Sequence, residues 1–309
     1  MATEPTPVLI LPQMPPVIIT PVPTTTLAVP APAPTPSPST SPTATTTSAT
    51  TPPTPTPSPQ PATADENGLI RITTNSADQA RPVISGNWIA WQDQRNGNYD
   101  IYMYDLSTGI ETQISTGSEN EYRPQISGDR IVYWGVNPTK VYLYNISAKT
   151  TTIVDSGREP NIDGEQIVYT KYGNLYLYNI STRQSSLLSF ANSSFGYSIS
   201  LPAISRSDIV FQDNVSLYHY NQGAPPARKL SVAGKTPYDN PVSGSRLITT
   251  DGANAYLYDL VANTSKKLTN QSFGSLGNIS ISGNQVVWNG DNDIYLYDLS
   301  TNQLKTLIS

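Results

Sequence analysis

Beyond residue 69 the chain is a succession of short runs in which apolar and polar residues alternate, broken by Gly, Asn, Asp and Ser. The runs recur. RPVISGNWIAWQD (81–93) returns as RPQISGDRIVYWG (123–135), PNIDGEQIVYTK (160–171), PAISRSDIVFQD (202–213), PVSGSRLITTDG (241–252) and ISISGNQVVWNG (279–290). With Pro82, Pro124, Pro160, Pro202, Pro241 and Ile279 as first residues, the spacings are 42, 36, 42, 39 and 38. A period near forty built from short strands is that of a propeller blade.

Each unit predicts four strands. The first is P-x-I-S, turned at S-G-N or S-G-D, and the second is I-V-W or I-V-Y. A polar hairpin follows, such as QDQRNGN (92–98), where Asn-Gly is a reversal signal. The third strand is tyrosine-rich and the fourth is a short apolar run: ETQIS, TTIVD, SSLLS, RKLS, KKLTN, LKTLIS. No apolar run keeps helical spacing over a dozen residues. The expected fold is therefore all-β: a six-bladed β-propeller of four-stranded blades over residues 69–309. LIRIT (69–73) also matches a fourth strand, so both ends of the repeat region offer a strand for closing the ring.

The third strand explains much of the tyrosine content. In DIYMYD (100–105), Ile101 and Met103 face one way and Tyr102 and Tyr104 the other. Its sisters supply Tyr142 and Tyr144, Tyr176 and Tyr178, Tyr218 and Tyr220, Tyr256 and Tyr258, and Tyr295 and Tyr297. A blade is covered on both faces, so neither alternating set can be plainly polar. Tyr fills volume and can place its hydroxyl at a wetter edge. These twelve are expected to pack the blades; the sharper alternative is a platform for stacking carbohydrate.

Residues 1–62 are of another kind. They hold 19 of the 28 prolines, among Thr, Ser and Ala. Proline locks φ and removes donors, so this stretch predicts an extended stalk with hydroxyls open to O-glycosylation. Within it, VLIL (8–11) and VIIT (17–20) are more apolar than a spacer requires, and are expected to add to a neighbour's sheet edge in an assembly. MATEPTPVLILPQ lacks a basic n-region and is not read as a signal peptide.

A formal charge of −5 argues against nucleic acid as a partner. No run of eighteen apolar residues predicts a membrane span. With no cysteine, disulfides and thiolate metal sites are excluded.

The repeat, carried most clearly by RPVISGNWIAWQDQRNGNYDIYMYDLSTGIETQIS (81–115), resembles the TolB-like propeller repeat found in tandem in archaeal and some bacterial cell-surface proteins. The resemblance implies an extracellular or cell-surface location and a scaffold for adhesion, partner binding or, in some members, catalysis. Two units depart from the pattern. Unit four has Arg206-Ser207 where others have Gly-Asn or Gly-Asp. Unit five aligns with Ser245 at the glycine position and Thr250 at the aromatic one.

Chemistry is sparsely supplied. His219, the single histidine, replaces Leu or Met in a third strand and is expected in an inter-blade contact. Lyases sharing this general fold use a histidine-rich metal site, which one histidine cannot reproduce, and the S-x-D-x-G-x-x-W turns of sialidase-type propellers are absent. Asp100, Glu119, Glu121 and Glu159 are the candidate acids for a carboxylate-pair glycosidase. Asp93 and Arg95 are expected to form a local ion pair. NGNYD (96–100) and NGDND (289–293) could offer hard oxygens to calcium, but they are also ordinary hairpin sequences. N-x-S/T sequons at Asn145, Asn179, Asn192, Asn214, Asn263, Asn270 and Asn278 are glycosylation candidates if the chain is exported.

No catalytic, cofactor-binding or metal residue is assigned and no cofactor is expected. The favoured expectation is a non-catalytic propeller binding an extracellular protein or glycan. The alternatives are a structural subunit of an ordered extracellular assembly, homo-oligomeric through its N-terminal tail, a polysaccharide-processing enzyme, and a periplasmic interaction protein.

Overall fold

The computed structural model describes residues 71–188, 199–213, 216–224, 226–232, 241–269, 276–290 and 293–308. The stalk, its apolar segments at 8–11 and 17–20, and Asn192, Asn214 and Asn270 lie outside the described residues. What is described is a six-bladed β-propeller of four-stranded antiparallel meanders.

Blade 1 holds β1 (Gln79–Ser85), β2 (Trp88–Asp93), β3 (Asp100–Asp105) and β4 (Ile110–Gln113); blade 2 holds β5 (Glu121–Ser127), β6 (Arg130–Gly135), β7 (Lys140–Asn145) and β8 (Thr150–Ser156). Blade 3 has β9 (Arg158–Asp163), β10 (Gln166–Lys171), β11 (Asn174–Asn179) and β12 (Gln184–Leu187); blade 4 has β13 (Ser200–Ser205), β14 (Asp208–Gln212), β15 (Leu217–Asn221) and β16 (Arg228–Lys229). Blade 5 comprises β17 (Val242–Ser243), β18 (Arg246–Thr250), β19 (Ala255–Asp259) and β20 (Thr264–Lys267), and blade 6 β21 (Leu276–Ser282), β22 (Gln285–Gly290), β23 (Asp293–Asp298) and β24 (Gln303–Ile308). First strands of successive blades, β1 through β21, pack on one another and lie innermost, while β12 and β20 are exposed along their length.

The repeated sequence is a repeated interface. From blade 1 to blade 5, each blade has an aliphatic face, such as Ala90, Ile101 and Met103 in blade 1, that meets the aromatic face of the next, here Tyr133 and Tyr144. Val132, Val141 and Leu143 likewise meet Tyr169 and Tyr178. In five of the six blades the first tyrosine of the third strand also stacks, within its own blade, on the aromatic of the second strand. Centroid separations are 6.1 Å for Trp91–Tyr102, 5.2 Å for Tyr133–Tyr142, 5.6 Å for Tyr169–Tyr176, 5.5 Å for Phe211–Tyr218 and 5.9 Å for Trp288–Tyr295. Such a pair contributes about 0.5–1.5 kcal/mol beyond area burial.

Blade 5 has no such stack, because the residue paired with Tyr256 is Thr249. This corrects the sequence alignment by one position: Thr249, not Thr250, replaces the aromatic. Unit five also keeps its turn glycine. Gly244 has φ 58°, matching Gly86, Gly128, Gly164 and Gly283, so Ser245 is not at the glycine position. In unit four Arg206 itself adopts φ 55°.

These turns link the ring. The side chain ending a first strand accepts a hydrogen bond from the turn N–H of the next blade: Ser85 from Gly128 (3.2 Å), Ser127 from Gly164 (3.0 Å), Asp163 from Arg206 (2.5 Å), Ser205 from Gly244 (2.9 Å) and Ser243 from Gly283 (3.0 Å). The recurring S-G dipeptide thus supplies an acceptor and a positive-φ donor in two residues.

Of the two candidate closing strands, β24 completes blade 6. Residues 71–76 form no strand; Ile72 packs on Trp91, Tyr102 and Tyr104 of blade 1. This is the contact that Ile114, just after β4, makes with Tyr133 and Tyr144 of blade 2.

Candidate functional site

Several residues outside the repeated positions converge at one end of blades 1 and 2. Gly97, at φ 94°, turns the β2–β3 hairpin, which is tied to the connector entering blade 2. Tyr99 N–H donates to Asn120 Oδ1 (2.8 Å), Glu121 N–H donates to the Tyr99 carbonyl (2.7 Å), and Asn98 Nδ2 donates to the Glu119 carbonyl (2.7 Å). Tyr99 therefore lies beside Tyr122, centroids 5.8 Å apart at 48°. Tyr122 is paired in register with Trp134, and their rings are 5.3 Å apart at 41°.

The result is a strip of three half-buried aromatics. Polar groups rim it. Tyr99 Oη donates to Asp78 Oδ2 (2.8 Å), and that bond raises the phenol pKa above its ordinary value. Asn137 Nδ2 donates to Glu119 Oε2 (3.0 Å), and Trp134 Nε1 is shielded from solvent without an acceptor.

Next to Tyr122 the first strands of blades 1 to 4 share one backbone feature. Arg81, Arg123, Glu159 and Leu201, each preceding a proline, share φ values of 49–55° at a first-strand bulge, where proline's missing donor costs no ladder bond. Arg123 pairs with Glu159 (3.6 Å), Glu159 accepts from Leu201 N–H (3.0 Å), and Asn161 Nδ2 donates to Gln125 Oε1 (3.2 Å). The cavity among these residues is about 20 Å³, room for one water and no organic ligand. Their polar groups bind blade to blade.

Of the four candidate acids, the structure brings together Asp100 and Glu121, both buried. Asp100 accepts amide N–H bonds from Asn96 (2.8 Å) and Gln113 (3.0 Å). Glu121 Oε2 has no partner. Burial, reinforced by the Asp100 charge and opposed by a bond from Ser115, pushes the Glu121 carboxyl up to about 7. Glu119 sits at the aromatic rim and Glu159 on the axis, so no two of the four flank an open cleft as glycoside hydrolysis needs.

Asp93 and Arg95 form the expected pair at 2.6 Å, and Trp91 Nε1 also donates to Asp93 (2.9 Å). Burial alone would raise the Asp93 carboxyl; the bonds from Arg95 and Trp91 outweigh it and hold the pKa below the ordinary value. The guanidinium also lies 4.1 Å over the Tyr102 ring. His219 is buried, with Nε2 2.7 Å from Asp208, and its Nδ1 accepts from Arg228, which reaches across to Asn263 and the Leu260 carbonyl of blade 5.

In NGNYD the Asn96 and Asn98 amides donate to Asp100, an arrangement that satisfies the hairpin internally. Among the described residues no three His, Cys, Asp or Glu side chains gather as a metal group. The side chains of the sequon residues Asn145 and Asn179 accept from Ala148 and Thr182 N–H, Asn263 accepts from Arg228, and Asn278 is exposed.

At the opposite end, an open groove of about 500 Å³ runs between blades 3 and 4, lined by Asp163, Glu165, Gln166, Asn179, Arg206 and Gln222 among others. Gln166 and Gln222 pair their amides reciprocally across it at 3.0 and 2.9 Å.

The aromatic strip was not singled out from sequence, yet a signal existed. Tyr99, Tyr122 and Trp134 are aromatics of units one and two that lie outside the repeated aromatic positions.

No family model and no curated protein matches the chain. Among solved structures it is similar to an oligogalacturonate lyase in complex with manganese (14% identity, 71% of this chain and 73% of that one, TM-score 0.53). An oligogalacturonate lyase from Vibrio parahaemolyticus is similar too (11% identity, 80% and 83%, TM-score 0.52). TolB from Acinetobacter baumannii aligns at 17% identity over 73% and 65%, with a TM-score of 0.47. At these identities the likeness is one of fold.

Proposed function

We propose that this propeller is a non-catalytic binding module of the cell surface or extracellular space, and that it takes glycan on the Tyr99–Tyr122–Trp134 strip. The observation that carries the reading is that strip: aromatic faces left half-open beside Glu119, Asn137 and Asp78. Flat aromatic area suits the C–H face of a sugar ring, and flanking amides and carboxylates suit its hydroxyls. Burial of Asp100 and Glu121, and the engagement of Glu159 on the axis, speak for binding without turnover. The Pro/Thr-rich first 62 residues and the seven sequons speak for export.

The test is titration of the full chain with a panel of soluble polysaccharides, following tryptophan fluorescence and calorimetry. Tyr122→Ala and Tyr99→Ala should each weaken binding at least tenfold, while Thr182→Ala at the far end should not. Binding indifferent to both aromatic changes, or release of new reducing or unsaturated ends by the wild type, would overturn the proposal.

A further inference from the structure

The aromatic strip changes character from one end to the other. Asp78 and Glu119 stand at its Tyr99 end, each already accepting a hydrogen bond, from Tyr99 Oη (2.8 Å) and Asn137 Nδ2 (3.0 Å). At its Trp134 end the sign reverses. Trp134 pairs in register with Val141, and the next pair outward is Gly135 with Lys140. β9, the first strand of blade 3, packs on β5 and β6, the strands that carry Tyr122 and Trp134. The place that Tyr122 holds in β5, two residues before the proline, is held in β9 by Arg158.

The reversal follows the blades. At this end the outermost pair of second and third strands is Asp93 with Asp100 in blade 1. It is Gly135 with Lys140 in blade 2 and Lys171 with Asn174 in blade 3. The place of the buried Glu121 is taken in blade 3 by Gly157, where even a Cβ would come within 2.7 Å of the Tyr169 ring. No acid side chain fits there.

Beyond Trp134, towards blade 3, this end therefore presents Lys140, Arg158 and Lys171 together with two acids, Asp155 and Glu159. Lys171 pairs with Asp155 (2.8 Å), and Glu159 with Arg123 (3.6 Å). Lys140 and Arg158 have no ion-pair partner among the described residues, and Arg158 is exposed. In a chain of net charge −5, two uncompensated cations close one end of the strip.

We infer that the glycan taken on the strip is acidic, with uncharged rings over Tyr99 and Tyr122 and a carboxylate- or sulfate-bearing ring past Trp134, held by Lys140 and Arg158. The inference rests on glycan binding at the strip. A guanidinium offers two parallel N–H donors to either anion, and the ammonium adds a point charge beside it. Asp78 and Glu119 set the order of the rings, because an anionic ring over Tyr99 would face both. The ligand is thus a chain in which acidic sugars are spaced by neutral ones.

The test is calorimetric titration of the full chain with defined oligosaccharides. Those of gellan and hyaluronan carry uronates spaced by neutral sugars, and those of κ-carrageenan carry a sulfate ester instead. Each is compared with its carboxyl-reduced or desulfated form. An acidic member should bind at least about tenfold more tightly than its neutralised form, the worth of one charge-assisted hydrogen bond. The arm that shows this ratio tells carboxylate from sulfate. Arg158→Gln and Lys140→Gln should each cut the ratio several-fold. Lys149→Gln, an exposed turn change at the opposite end of blade 2, should leave it unchanged. Alginate oligosaccharides, acidic at every ring, should bind more weakly than those of gellan or hyaluronan.

Neutralised forms that bind as tightly as the acidic ones would leave the strip its glycan and overturn the inference. A ratio unmoved by both Arg158→Gln and Lys140→Gln, or alginate binding the tightest, would overturn it as well. Binding of neither form, acidic or neutral, removes the glycan reading itself and the inference with it.

Discussion

Glu121 gives the most exacting test of how this ring is held together. Its carboxyl is buried between blades 1 and 2, beside Asp100 and with Oε2 unpartnered, and its pKa is raised from 4.5 to about 7. A folded-state pKa above the unfolded one means that the native chain binds the extra proton. The associated stability is fully present below pH 4.5 and lost as pH rises through 7. At about 1.4 kcal/mol per pKa unit, the loss amounts to about 3 kcal/mol by pH 9.

Glu121→Gln mimics the protonated acid at every pH and keeps an acceptor for Ser115. The variant should match the wild type near pH 4 and exceed it by about 3 kcal/mol at pH 9. For a domain of this size that corresponds to about 6–12 °C in Tm. Thermal unfolding followed by circular dichroism at pH 4, 6, 7.5 and 9 reads the difference directly. A gap between the two proteins that stays constant across pH would refute the reasoning, because the effect would then be packing and not ionisation.

Further outcomes follow from the same geometry. Thr249 Oγ1 is buried without a partner, so Thr249→Val should stabilise by about 1 kcal/mol in urea titration, and a loss would show that the hydroxyl is satisfied. Arg206→Gly relieves a non-glycine residue at positive φ and should gain roughly 0.5–1 kcal/mol by the same assay. Asp93→Asn removes the charge that Arg95 and Trp91 both contact and should cost about 2–4 kcal/mol, read as a lower urea midpoint at pH 7.

The fold was legible because each blade is specified locally. The S-G turns and tyrosine strands recur with their chemistry intact, and strand alternation alone assigns Ile101 and Met103 to one face and Tyr102 and Tyr104 to the other, as the structure has them. Unit five is out of step by one residue because Pro241 stands three residues before Gly244, whereas Pro82, Pro124, Pro160 and Ile279 stand four before their turn glycines. The pairing of Asp100 with Glu121 was illegible for a different reason. It depends on the connector between β4 and β5, which brings residues from separate units together, and connectors are where the repeats differ in length. The aromatic strip arises at the same junction. Tyr99 and Tyr122 come from successive units, and register alone sets Trp134 beside Tyr122.

The link from a first-strand Ser or Asp to the next turn N–H has an evolutionary consequence. Five junctions share a backbone turn N–H as donor, a first-strand side chain as acceptor and one polarity, so this link by itself does not record a unit's place in the order. A unit gained or lost by recombination between repeats would find compatible neighbours on both sides. Blade count in such a chain can therefore drift by gene duplication without any accompanying change at the junctions. The link persists with Asp163 in place of serine in unit three and Arg206 in place of glycine in unit four.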